Sequence, residues 1–172
     1  DLYVVSFLDN KILKYSMRTR GELSKPTEVE LEEGTCITSD ENGNVLVGTV
    51  KGDIYIYDRD LKLRTDKGDN GKIKGTKVKK YMHGISVNDG TIVATDLSAG
   101  VAHIYKLKPL ELNTEEEGAV AEAKEQEPAQ PYTDEVATST TITTPVAMKS
   151  GLSFVEKPSH VVHDQQGMAY VA

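Results

Sequence analysis

The feature that most constrains this chain is a recurring pattern of strand, tight turn and strand. Apolar, β-branched runs occur at "LYVVSF" (Leu2–Phe7), "VLVGTV" (Val45–Val50), "TIVATD" (Thr91–Asp96) and "MAYVA" (Met168–Ala172). This composition suits a pleated, half-buried surface. Each of the last three runs follows a glycine turn, "DENGN", "NDG" or "DQQG", and each turn follows a short apolar stretch, "CITS", "GISV" or "HVVH". Glycine and asparagine there supply the positive φ of a tight hairpin. A further strand of two-residue period follows each of the first three runs: "KILKYSM", "DIYIYDRD" and "VAHIYKL". Tyr15, Tyr57 and Tyr105 take matching places in them, and Val4, Val47 and Val93 repeat at a similar spacing.

More polar fourth strands are expected at "TEVEL" (Thr27–Leu31) and "TKVKKY" (Thr76–Tyr81). A unit of roughly 40–45 residues with four antiparallel strands is a β-propeller blade. One blade cannot bury both faces of its sheet, whereas stacked neighbours do so and protect the strand edges. The expected fold class is therefore all-β, a propeller of four-stranded antiparallel blades. Roughly three and a half blades are visible, fewer than most closed rings need. The chain is expected to belong to a longer polypeptide or to complete its ring with another chain. Residues 1–109 are read as blades, and 151–172 as the start of the next blade.

Residues 110–150 break the rhythm. "LELNTEEEGAVAEAKEQEPAQPYTDEV" is acidic and contains proline, and "ATSTTITTPV" is rich in threonine. Such a stretch has too few apolar side chains to build a core of its own, and an exposed, mobile insertion is expected. Thr114 and Glu117 have capping-box spacing, which predicts a short helix over Glu115–Glu127. "TSTTITT" is a candidate outermost strand of its blade.

Charge and cysteine content narrow the function classes. The net charge is −7 and the pI about 5.1, so the chain lacks the basic footprint that nucleic acid requires. Its basic stretch, Lys67–Lys80, reads as a solvated loop. Cys36 is the only cysteine, which rules out an internal disulfide and a cysteine metal cluster. Its apolar neighbour Ile37 predicts a buried, unreactive thiol. No apolar run approaches membrane-spanning length. No metal or cofactor is expected: GxSxG, HExxH and phosphate-cradling glycine motifs do not occur. His160 and His163 do not alternate onto one strand face, and packing is the expected role of His103, which alternates with Tyr105. The sequence begins at Asp1 with neither an initiator Met nor a signal peptide. Localisation is left open, with a cytoplasmic setting as the default.

Three passages resemble the seven-bladed lactonase-type propellers, which include 6-phosphogluconolactonases and carboxy-cis,cis-muconate cyclases. They are "LYVVSFLDNKILKYSMRTRGELSKPTEVE", "HGISVNDGTIVATDLSAGVAHIYKL" and "KPSHVVHDQQGMAYVA". The resemblance implies a lactone hydrolase or muconate-type cycloisomerase acting on a small carboxylated or phosphorylated lactone. It places His83 on the family's functional histidine, a residue type suited to proton transfer near neutrality. Where the family carries an arginine, this chain has Ser159, beside His160. The glutamate the family carries after the "YAYV" strand would fall beyond Ala172. In a propeller the loops entering the innermost strands form one rim, so Thr35, His83 and Ser159 are expected around one pocket mouth. His83 is the candidate acid/base, and Thr35, Ser159 and His160 are candidate substrate-binding groups. The expected partner is a small anionic metabolite. The alternative is a non-catalytic scaffold that binds another protein, since fold alone does not fix function.

Overall fold

The computed structural model describes residues 1–17, 21–78, 80–109, 132–142, 161–163 and 169–171. These form strands and no helix. The first sheet holds β1 (Leu2–Ser6), β2 (Lys11–Tyr15) and β3 (Thr27–Glu30). The second holds β4 (Gly34–Ser39), β5 (Val45–Thr49) and β6 (Ile54–Tyr57). The third holds β7 (Met82–Asn88), β8 (Thr91–Asp96), β9 (Val101–Pro109) and β10 (Tyr132–Ile142), and β11 (Val161–His163) pairs with β12 (Ala169–Val171). Every pair is antiparallel and joins strands consecutive in the chain. Turn chemistry sets these pairings. Between β7 and β8, Asp89 and Gly90 take φ of 44° and 64°, a two-residue turn that matches the twist of the flanking strands.

Strand alternation gives the second sheet two apolar faces, so it lies between the first and third. Val45, Val47 and Tyr57 face the first sheet and pack with Ile12 and Leu31. Cys36, Leu46, Ile54 and Ile56 face the third and pack with Met82, Ile85, Ile92, Ala94 and Tyr105. The second contact is close at Gly48, where an added Cβ would lie 2.6 Å from Cys36 Sγ and closer still to Met82 Sδ. Any side chain there would force Met82 and Cys36 to shift.

Register shows that the sheets stack by one rule. Tyr15, Tyr57 and Tyr105 pair with Leu2, Val45 and Ile92. Two residues further along, Val4, Val47 and Ala94 are equivalent. Ala94 thus replaces Val93 in the expected valine series, and Val93 faces the opposite side of its sheet. The equivalent side chains of the second and third sheets pack on the sheet before them. In the first sheet this face is open, with Leu2 45% and Val4 37% exposed. The described sheets form a stack that does not close on itself.

Two further expectations need correction. Thr76–Tyr81 is not the fourth strand of the second sheet. Gly71–Lys74 runs beside β6 instead, where Ile56 N–H donates to Gly71 O at 2.8 Å and Ile73 N–H to Ile54 O at 2.9 Å. The basic Lys67–Lys80 stretch is not wholly solvated, because Ile73 and Val78 are buried in the core between the second and third sheets. Alternating lysines hid these apolar anchors. Within 110–150, residues 132–142 form β10, and Ser139 pairs with Tyr105. The helix expected over Glu115–Glu127 lies outside the described residues.

Candidate functional site

The starts of β4 and β7 carry the same irregularity. The β4–β5 ladder pairs Gly34 with Thr49 and then Cys36 with Gly48, leaving Thr35 as the extra residue. The β7–β8 ladder pairs Met82 with Asp96 and then Gly84 with Thr95, leaving His83 as the extra residue. Thr35 and His83 therefore occupy equivalent β-bulges in equivalent strands. A bulge bends its strand and re-aims a side chain, and bulges are over-represented beside active sites.

The two bulges are linked. Thr35 Oγ1 donates to the carbonyl of Met82, the residue before His83, and also lies 3.1 Å from Gly48 O. Cys36 Sγ lies 3.7 Å from the same Met82 oxygen. Two side chains of β4 thus converge on the carbonyl that leads into the His83 bulge and hold the β7 backbone there. A hydroxyl has one proton to donate, so Thr35 is committed to the backbone. Burial pushes the Cys36 thiol up to about 12, so it is neutral and acts as a packing and bonding group, as its sequence neighbourhood predicted.

His83 is half-buried. Ser159 and His160 lie outside the described residues. β11, which begins one residue after His160, packs beside β7. His103 is buried on β9, with Nδ1 2.9 Å from Thr141 Oγ1 and its ring stacked on Tyr105 at 6.0 Å. Burial holds its pKa below the ordinary histidine value, so the neutral ring packs and joins β9 to β10.

Sequence reading placed Thr35 and His83 at strand starts but did not anticipate the bulges. The available signal was a glycine beside each, Gly34 before Thr35 and Gly84 after His83, because glycine inside a strand pattern often marks a bulge.

No family model matches this chain. No curated protein matches it either. The lactonase-type resemblance therefore rests on the motifs quoted above.

Proposed function

We propose that the chain is a run of β-propeller blades whose bulged strand starts border a site for a small carboxylated or phosphorylated lactone, with His83 as the proton-transfer group. The observation that carries this reading is the equivalence of the Thr35 and His83 bulges, together with the Thr35 bond to Met82 O. The propeller itself is supported by sheets that stack in chain order through the same register positions.

In this reading the His83 imidazole takes a proton from water as the water oxygen attacks the lactone carbonyl. The ring C–O bond then breaks, and the leaving alkoxide takes the proton back. Thr35 is a positioning residue, since its hydroxyl holds the backbone before His83. Groups that hold the substrate's anion are expected from the stretch around Ser159 and His160.

The test is His83→Ala in the intact protein against a panel of lactones. A loss of about 100-fold or more in kcat/KM is expected, with an unchanged circular dichroism spectrum. Activity equal to that of the unmutated protein would overturn the assignment. A second reading, a rigid platform for a protein partner, is favoured by the commitment of the Thr35 hydroxyl to backbone oxygens. It becomes the account if the unmutated protein turns over no lactone in the panel.

A further inference from the structure

A cavity of about 280 Å³ opens between the first and second sheets. Leu31, Leu63, Tyr55 and Tyr57 line it, and Glu30 and Glu32 stand among its rim residues. Two further rim groups are already matched. Glu33 pairs with Lys51 at 3.2 Å, and Asp53 with Lys72 at 2.9 Å. Glu30 lies in the field of Lys11 and Glu32 in that of Lys51, though neither makes an ion pair among the described residues, so carboxylates outnumber cations around the cavity.

A second, independent observation concerns Tyr57. It is only 3% exposed, yet its hydroxyl has no hydrogen-bond partner among the described residues. A buried hydroxyl without a partner carries a desolvation cost. Burial pushes the phenol up to about 12, so it stays neutral near pH 7 and can both accept and donate.

The repeat shows what this hydroxyl lacks. Tyr105, its equivalent in the third sheet, accepts the backbone N–H groups of Lys77 and Val78 at 2.9 and 3.2 Å. In the second sheet the corresponding lead-in segment is Leu31–Glu33, and two of its donors are used elsewhere. Leu31 N–H donates to Asn10 O at 2.9 Å, and Glu33 N–H to Asn10 Oδ1 at 3.1 Å. Relative to Tyr105, Tyr57 lacks an N–H donor, and the excess of carboxylates around the cavity favours a cationic one.

From this geometry we infer that the cavity binds an organic cation bearing N–H donors, a primary ammonium on a short apolar stem. The stem lies along Leu31, Leu63 and Tyr55, the ammonium donates to Tyr57 Oη, and Glu30 and Glu32 balance its charge. The neighbourhood already draws one such group, since Lys72 Nζ sits 5.0 Å from the centre of the Tyr55 ring. A free amine and a lysyl side chain share this chemistry.

The test uses n-butylammonium, n-butanol and a blocked lysine amide, titrated into the intact protein while the tyrosine ring signals are followed by NMR. The expected result is a saturable shift of the Tyr57 ring with n-butylammonium, at least about tenfold tighter than with n-butanol, which corresponds to about 1.4 kcal/mol. Tyr57→Phe, which removes an unsatisfied hydroxyl and should fold normally, is expected to weaken n-butylammonium binding about tenfold. Tighter binding of the blocked lysine would support the site with a protein side chain as its source, and tighter binding of n-butylammonium a free amine. Equal binding of n-butylammonium and n-butanol, no saturable shift at Tyr57, or unaltered affinity in Tyr57→Phe would overturn the inference.

Discussion

The contact between the first and second sheets and the contact between the second and third use the same register positions, yet they are filled differently. Between the second and third sheets, Met82 lies over Gly48, and Tyr105 is wholly buried with its hydroxyl bonded to Lys77 and Val78. Between the first and second, Tyr57 is buried without such donors, and a cavity remains beside it. Polar bridges join those two sheets at the edge, where Lys14 pairs with Asp60 at 2.7 Å and the Tyr3 hydroxyl donates to Arg59 O at 2.8 Å. One repeat can therefore build a closely packed joint or a joint that leaves a cavity. The segment leading into the sheet decides which: Lys77 and Val78 turn their N–H groups toward the tyrosine, whereas Leu31 and Glu33 give theirs to Asn10.

The largest expected effect lies in the closely packed joint. Met82→Ala should lower stability to denaturant by about 2–5 kcal/mol, since it removes a fully buried side chain and leaves a void against Gly48. Val4→Ala, on the open face of the first sheet, should change stability by no more than about 0.5 kcal/mol. Similar losses for the two would mean that the sheets do not stack as described. A smaller contrast separates the paired tyrosines. Tyr105→Phe leaves the N–H groups of Lys77 and Val78 unpaired and should cost about 1–3 kcal/mol, whereas Tyr57→Phe breaks no bond and should be neutral or stabilising. Equal costs, measured by urea unfolding of the two variants, would erase the distinction between the joints.

Much of this architecture was legible in the sequence because strand period and turn chemistry are local. The "NDG" turn, the alternation in "DIYIYDRD" and the matching tyrosines led directly to hairpins that the structure contains. Burial of Cys36 and packing of His103 followed from their apolar neighbours and strand position. Non-local matters were harder to read. Ala94 takes the place expected of Val93 because a strand register shifted by one residue reverses its faces. The edge segment of the second sheet lies at Gly71–Lys74 because Ile73 supplies the apolar anchor, in a stretch whose lysines suggested solvent. At the candidate site, strand position brought out Thr35 and His83, but the bulges depend on cross-strand pairing. The commitment of Thr35 to Met82 O depends on a neighbouring sheet that no local pattern specifies.

The central claim is that consecutive sheets stack face to face in chain order, each through the same register positions. Nuclear Overhauser contacts in methyl-labelled protein test it most directly. The account predicts contacts from the Met82 methyl to the Gly48 α-protons and the Cys36 β-protons, and from the Ile12 methyls to those of Val45 or Val47. Met82 and Ile12 methyls that show contacts only within their own sheets would contradict it.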